Sequence, residues 1–310
     1  MNKSVQFVTI DEGREGQRID NFLLTQLKGV PKSRIYRILR KGEVRVNKKR
    51  IKQTYRLQVG DVVRIPPIRV AEEGVVPQAS QEFLNSIEQS FLYEDDYLIV
   101  LNKPSGLAVH GGSGINLGVI EILRQMRPDA PFLELVHRLD RDTSGCLMIA
   151  KKRSMLRSLH DMLRDGEIDK TYCALLRGRW HGEEKRVEAH LQKNTLQSGE
   201  RMVRVHVDGK SALTTFYPEH RFEDATFVRI DLGTGRTHQI RVHAQHIKKP
   251  VAGDEKYGDM QFNEKMRERG LRRLFLHAEE LRFLHPATEV TLAVQAPLGD
   301  ELIAVLEKMK

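Results

Sequence analysis

Residues 134–150, ELVHRLDRDTSGCLMIA, combine a polar turn with an apolar strand. Asp140 lies between two arginines, ahead of the Thr-Ser-Gly turn at residues 143–145. The apolar run at residues 146–150 then predicts a buried β-strand. An aspartate before such a turn can accept hydrogen bonds from nearby backbone N–H groups, so these residues alone leave a structural and a catalytic role for Asp140 equally open.

Short apolar runs on both sides of this stretch indicate the fold class. Further strands are predicted near residues 97–101, 172–176, 202–207, 212–217, 227–232 and 290–294, and helices near residues 117–126, 154–163, 239–246 and 301–308. Because strands outnumber helices and often follow one another directly, the pattern predicts an α+β domain on a mixed, largely antiparallel sheet.

The first quarter of the chain carries the whole net charge of +9. Residues 1–75 contain 17 basic and 8 acidic side chains, whereas the other 235 residues contain 34 of each. Such a concentration indicates a polyanionic partner, with a solvated basic face as the alternative. Apolar residues at helical spacing from Ile19 to Leu27, a basic amphipathic helix ending at Gly42 and short strands over residues 44–46 and 57–65 predict a helix pair on a small sheet.

Several classes of protein and of site are excluded. The 310 residues are enough for about two domains, no run is long and apolar enough to span a membrane, and the first residues lack the apolar core of a signal peptide. We therefore expect a cytoplasmic protein that does not contact membranes and keeps Cys146 and Cys173 reduced. Phosphate-loop, HExxH, CxxC and GxSxG motifs are missing from the sequence. His238, His243 and His246 lack carboxylate or thiolate partners at matching spacing, so we expect no metal.

The run PKSRIYRILRKGEVRVNKKR at residues 31–50, with YRLQVGDVVRIP at residues 55–66, resembles the S4 RNA-binding domain. The resemblance implies a small N-terminal domain over residues 1–70 that binds folded RNA, followed by a linker over residues 71–85. It also implies a set of basic side chains at the RNA interface, namely Arg34, Arg37, Arg40, Lys41 and Lys48. A basic helical hairpin that enters the major groove of DNA is the alternative.

Six further motifs occur in order: YLIVLNKPSGLAVH (97–110), HRLDRDTSG (137–145), KTYCALLRG (170–178), GRTHQIRVHAQH (235–246), DEKYG (254–258) and LFLHA (274–278). Together they resemble the RNA pseudouridine synthases of the ribosomal large-subunit type. The resemblance implies a catalytic domain over residues 86–310 that acts on uridines of 23S ribosomal RNA or of the large-subunit precursor. We expect the protein to be a monomer.

The chemistry of that family explains why one carboxylate is enough. The bond between uracil N1 and ribose C1′ breaks, the base turns while bound, and C5 joins C1′, so no external atom and no cofactor is required. Glycoside hydrolases use two carboxyl groups because they must also activate water. The resemblance makes Asp140 the essential carboxylate. Attack on C1′, attack on C6 and removal of a 2′ proton remain open as its first step.

The resemblance also assigns the groups around Asp140. Arg236 is expected to pair with the carboxylate, and Tyr172 to lie against the uracil. Arg138 is expected to accompany extrusion of the target nucleotide, since a stacked base must leave the helix before an enzyme reaches it.

The remaining family positions leave two interpretations each. Leu276 and Ile240 would lie under the uracil or serve the core. Lys103 and Lys256 would contact phosphate or be solvated loop lysines.

Three other functions remain alternatives at this point. The chain could be a pseudouridine synthase for another RNA such as tRNA, or a catalytically silent S4-type ribosome assembly factor. An N-glycosidase, which would release uracil, is the third.

Overall fold

A computed structural model describes residues 4–27, 30–68, 78–111, 117–195 and 201–310. The chain divides into two compact units, Met1–Pro77 and Gln78–Lys310. Each unit has its own hydrophobic core.

The first unit is a helix pair on a small sheet, as predicted. Its elements are β1 (Gln6–Thr9), α1 (Ile19–Gln26), α2 (Lys32–Lys41), β2 (Arg45–Val46) and β3 (Val62–Ile65), with a short 3₁₀ turn at Glu12–Arg14. The strands form an antiparallel sheet in the order β1-β3-β2. Helix α2 buries Ile35, Ile38 and Leu39, and it ends where Gly42 adopts a left-handed backbone conformation with φ of 69°.

The second unit contains the remaining elements. Its described strands are β4 (Phe91–Glu94), β5 (Leu98–Lys103), β6 (Glu134–Leu135), β7 (Ser144–Ala150), β8 (Asp169–Arg177), β9 (Lys185–Glu188), β10 (Leu191–Thr195), β11 (Arg201–Val205), β12 (Leu213–Arg221), β13 (Ala225–Leu232), β14 (Leu276–Leu284) and β15 (Thr291–Gln295). Its described helices are α3 (Gln81–Gln89), α4 (Val119–Met126), α5 (Arg153–Asp165), α6 (Gln239–His246), α7 (Met260–Glu268) and α8 (Asp300–Glu307).

One large sheet organises this unit. Eight strands follow the order β4-β5-β7-β14-β8-β13-β12-β9, with β6 paired to β7 and β15 paired to β14. Only the contact between β7 and β14 is parallel among the described strand pairs. The predicted α+β class and the mixed, largely antiparallel sheet are therefore confirmed.

Strand β7 is buried along its whole length because helices cover both faces of the sheet. Leu147 and Ile149 pack on one face with residues of α4 and α6, whereas Cys146 and Met148 pack on the other with α5. Burial of each large aliphatic side chain stabilises the fold by about 1.5–3 kcal/mol. Cys146 and Cys173 are buried free thiols, as predicted.

The structure corrects part of the predicted linker. Residues 71–77 lie outside the described residues, but residues 81–85 belong to α3 and to the second unit. Ser80 begins this helix because its hydroxyl accepts a hydrogen bond from the Phe83 N–H at 3.3 Å. Ile87 is buried against the main core, so apolar contact holds the helix in place.

Candidate active site

Asp140 lies in the loop between β6 and β7, at a turn that the neighbouring strand constrains. The Asp140 carbonyl accepts a hydrogen bond from the Thr143 N–H at 3.2 Å. Gly145 follows with φ of 107°, and a Cβ atom at this position would collide with the Ala278 carbonyl on β14. A glycine is required here because β7 and β14 approach closely.

Lys103 supports the same turn through hydrogen bonds. Both predicted roles for it, a phosphate contact and a solvated loop lysine, are wrong. Its side chain is fully buried, and Nζ donates to the carbonyls of Pro104, Leu107 and Arg141 at 2.7, 2.8 and 3.0 Å. Burial lowers the pKa of Lys103 to about 7. It neither contacts a phosphate nor lies in solvent, because its three N–H groups join two loops inside the protein.

The guanidinium that pairs with Asp140 belongs to Arg241. Its Nη1 lies 3.3 Å from Asp140 Oδ2, and its Nε and Nη2 donate to Asp254 at 2.7 and 2.8 Å. Burial by itself would raise the pKa of Asp254, but the hydrogen bonds and charge of Arg241 bring it below its usual value. The pair with Asp254 therefore stays ionised and fixes the arginine that faces Asp140.

The predicted pairing of Arg236 with Asp140 is wrong. Arg236 is exposed at the rim of the site, where its Nε donates to the Ser211 carbonyl at 3.1 Å. Helix α6 begins only at Gln239, so Arg236 lies in the preceding loop and Arg241 on the buried side of the helix. The motif contains both arginines, and only the position of the helix start distinguishes them.

A small cavity opens beside the Asp140 carboxylate. Its volume is about 100 Å³, and Arg236, Tyr172, Ile240 and Leu276 contribute to its lining. Tyr172 is almost fully buried, and burial together with the charge of Asp140 raises the pKa of its phenol. The phenol is therefore neutral. An aromatic ring, two aliphatic side chains and one carboxylate make a compartment that suits a single flat ring.

A much larger cleft adjoins this cavity on the other side of Asp140. The cleft encloses about 1000 Å³ and shares Arg138, Asp140, His238 and Arg241 with the cavity. Its remaining lining contains five basic side chains and four carboxylates: Arg141, Lys256, Arg267, Arg272 and Arg273, with Asp142, Asp254, Glu255 and Glu301. Arg138 is exposed, and its guanidinium donates no hydrogen bond to any residue that the structure describes. Asp140 thus lies where a small cavity meets a wide cleft whose lining has more basic than acidic side chains.

Comparison with known proteins places this geometry in a family. The chain is 58% identical to the ribosomal large subunit pseudouridine synthase C of Haemophilus influenzae, over 100% of this chain and 97% of that protein. The proteins of the same name from Yersinia pestis and Escherichia coli K12 are 58% and 57% identical, over 97% and 99% of this chain and 94% and 97% of theirs. The chain belongs to the RNA pseudouridylate synthase family.

Profiles and solved structures agree with this assignment. The profile described as RNA pseudouridylate synthase matches residues 97–246, and the S4 domain profile matches residues 17–63. The human RNA pseudouridylate synthase domain containing 1 is 26% identical, with a TM-score of 0.58 over 76% of this chain and 90% of its own. The human domain containing 4 is 24% identical, with a TM-score of 0.61 over 74% and 95%, and supports the fold alone. Both sequence resemblances are confirmed.

Sequence reasoning missed two residues of this synthase site, Arg241 and Asp254, and named His238 only as a rejected metal ligand. Arg241 and His238 lie in the motif at residues 235–246, whose first arginine, Arg236, is the one that the resemblance pairs with Asp140. Asp254 opens the DEKYG motif, of which only Lys256 was considered. A carboxylate in a loop gives no signal of burial in the sequence, and its partner is known only after folding.

The basic residues predicted at the RNA interface of the S4 domain lie in the first unit. Arg37, Arg40, Lys41 and Lys48 are exposed, whereas Arg34 is half-buried. The first three come from α2, and Lys48 lies in the turn after β2 with φ of 68°. Nothing in the fold of this unit pairs the four exposed side chains with a carboxylate among the described residues.

Two observations concern the predicted absence of a metal and of membrane contact. No group of three or more His, Cys, Asp or Glu side chains within the described ranges is arranged to hold a metal ion. None of the helices that the structure describes is both long and apolar enough to cross a membrane.

Proposed function

We propose that this chain converts specific uridines of 23S ribosomal RNA, in the large subunit or its precursor, into pseudouridine. One observation carries the proposal: Asp140 lies between a cavity for one base and a cleft for an RNA strand, with Arg241 at its carboxylate. The three relatives named as large-subunit pseudouridine synthases support the choice of RNA.

The reaction is an isomerisation that the site can contain. The N1–C1′ bond breaks and a C5–C1′ bond forms, while the proton lost from C5 is balanced by the proton that N1 gains. Asp140 supplies the one anion that this series of steps needs, and Arg241 pairs with the carboxylate and orients it. The narrow cavity retains the detached uracil, which separates isomerisation from release of the base. We propose no metal and no cofactor.

The target nucleotide has to leave its helix to reach Asp140. We propose that the uracil enters the cavity, where Tyr172 stacks against it and Leu276 and Ile240 lie beneath it. Arg138 stands at the junction of cavity and cleft, and its guanidinium has no hydrogen-bond partner within the described ranges, so it can contact the vacated stack or a phosphate. Arg236 at the rim is then a substrate contact, and no longer the partner of Asp140.

The strand that carries the target is proposed to lie in the wide cleft. Arg267 and Arg272 are exposed on its far side, and neither forms an ion pair with a carboxylate in the described part of the chain. Arginine suits phosphate because its fork of N–H donors matches two phosphate oxygens. Lys256 lines the same cleft.

A second contact with RNA is proposed for the S4 unit. The residues concerned are Arg34, Arg37, Arg40, Lys41 and Lys48. We propose that the protein acts as a monomer in the cytoplasm, where ribosomal RNA is assembled.

The decisive experiment measures tritium release from 23S RNA that contains 5-tritiated uridine. Asp140→Asn preserves the shape of the side chain but removes its charge, and it is expected to abolish tritium release while RNA affinity changes less than twofold. Wild-type turnover in this variant would remove Asp140 from its role. RNA binding by the wild-type chain without pseudouridine formation would support a silent assembly factor, activity only on tRNA would change the substrate, and free uracil would identify an N-glycosidase.

A further inference from the structure

His238 lies beside the carboxylate oxygen of Asp140 that Arg241 does not contact, and the mechanism above does not use it. Its Nε2 lies 3.8 Å from Asp140 Oδ1, whereas Arg241 approaches Oδ2. The imidazole is 19% exposed and lines both the cavity and the cleft. Each oxygen of the carboxylate therefore faces a different side chain.

The backbone at His238 is held in an unusual conformation to achieve this placement. His238 precedes α6 with φ of 55° and ψ of 20°, in the left-handed region that residues with a Cβ adopt at an energetic cost. The next residue, Gln239, is buried, and hydrogen bonds from both the oxygen and the nitrogen of its side-chain amide hold the loop before α6 in place. Its oxygen accepts from the Thr234 hydroxyl and the Arg236 N–H, and its nitrogen donates to Leu213 and Thr214.

Tyr257 determines which ring nitrogen of His238 carries the proton. The Tyr257 hydroxyl lies 2.7 Å from His238 Nδ1 and accepts a hydrogen bond from the Val203 N–H at 2.9 Å. The structure gives this buried hydroxyl no third partner among the described residues. The hydrogen of the Tyr257 hydroxyl finds an acceptor only if His238 Nδ1 is unprotonated. The imidazole is then neutral, with its proton on Nε2, and this N–H points toward Asp140.

We propose that His238 is a positioning residue whose Nε2–H, fixed by the hydrogen bond from Tyr257, orients the Asp140 carboxylate for the isomerisation. This inference rests on the proposed function. The distance of 3.8 Å shortens to a hydrogen bond when RNA fills the site, as is usual for catalytic contacts that tighten in the complex. Arg241 and His238 then hold one oxygen each, and the carboxylate keeps a single orientation while the base turns.

A neutral donor serves this role better than a second cation. Arg241 already brings one full positive charge to the carboxylate. An imidazolium on the other oxygen would compensate the negative charge further and weaken the carboxylate as a nucleophile or base. Burial lowers the pKa of His238, although the nearby Asp140 charge opposes that effect.

The kinetic test compares three variants in tritium release from 23S RNA. His238→Leu removes the donor and is expected to lower kcat about 30-fold with KM within about twofold, because orientation, not RNA affinity, is lost. His238→Gln retains an N–H near the position of Nε2 and is expected to keep kcat within about fivefold of wild type. Tyr257→Phe removes the hydrogen bond that fixes the tautomer of His238, and its kcat is expected to lie between those of His238→Leu and His238→Gln. His246→Gln and Tyr93→Phe are matched controls, which we expect to behave as wild type.

Nitrogen-15 NMR of the imidazoles provides a readout that a purely structural role would not move. In the wild-type chain the signal that disappears in His238→Gln is expected to have the Nε2–H tautomer pattern, and Tyr257→Phe is expected to shift it toward a mixture. An Nδ1–H pattern in the wild type, or wild-type kcat in folded His238→Leu, would overturn the proposal. If His238→Leu does not fold, the kcat values and imidazole signals of His238→Gln and Tyr257→Phe test the proposal in its place. A wild-type chain that makes no pseudouridine contradicts the proposed function instead, and leaves the tautomer assignment intact.

Discussion

Arg241 and Asp140 lie 101 positions apart in the chain, and 3.3 Å separates Nη1 of the arginine from Oδ2 of the aspartate. The other two donor nitrogens of the same guanidinium bind Asp254 in a buried pair. Rotation of the arginine away from Asp140 would break that pair and leave two nearly buried charges without partners. Asp254 therefore stabilises the orientation of a side chain that acts on Asp140.

The first prediction separates the two arginines of the motif at residues 235–246. Arg241→Lys keeps the charge but cannot bond to Asp254 through two nitrogens and reach Asp140 as well, so we expect kcat to fall about 100-fold. Arg236→Lys, at the exposed rim, is expected to change kcat less than about fivefold. Initial rates of tritium release check both. A larger loss for Arg236→Lys would restore the pairing first predicted from the motif.

The second prediction concerns stability. Asp254→Asn removes the carboxylate that binds two nitrogens of the buried Arg241 guanidinium and leaves it only the longer contact with Asp140, so we expect the free energy of unfolding of the second unit to fall by about 3–5 kcal/mol. Asp161→Asn is the matched control because its ion pair with Arg164 is exposed, and there we expect less than about 0.5 kcal/mol. Urea unfolding followed by circular dichroism measures both. Equal stability of the two variants would contradict a structural role for the Asp254 pair.

The third prediction tests the path of the RNA strand. Arg267→Gln and Arg272→Gln each remove one proposed phosphate contact, so each is expected to raise KM and to reduce the slope of log(kcat/KM) against log[salt] by about 0.7. The value of kcat at saturating RNA should not change. Arg157→Gln is the control, because Arg157 is exposed on α5 and does not line the cleft. Unchanged salt slopes in both cleft variants would remove the strand from this cleft.

The fourth prediction concerns the pH dependence of folding. His243 is fully buried, and burial lowers its pKa to about 4. Between pH 6.5 and pH 4 the unfolded chain binds a proton at this position and the folded chain does not, so stability is lost as the pH falls through that window. The contribution is about 1.4 kcal/mol per pH unit at most. His243→Gln is expected to flatten this slope, and an identical slope in the variant would show that His243 titrates normally.

Local pattern was sufficient for much of the fold. The strands around residues 146–150 and 227–232 and the helix at residues 239–246 were predicted because apolar periodicity reflects burial directly. Helix α7 and strand β14 were missed. Only a few residues of α7 are buried, and β14 alternates with polar residues at its end, so tertiary contacts and not local preference stabilise both.

The sequence by itself determined the two-part organisation, the α+β class, the family and the choice of Asp140 as the candidate carboxylate, since these depend on local periodicity and on motifs that are contiguous in the chain. Only the tertiary structure decided which arginine meets the aspartate, that Lys103 is buried, and that Tyr257 sets the tautomer of His238. Each of these depends on the direction of a side chain across strands and helices distant in the chain. The residue at which α6 begins decides whether Arg236 or Arg241 meets the Asp140 carboxylate, and the spacing of the motif does not predict that residue.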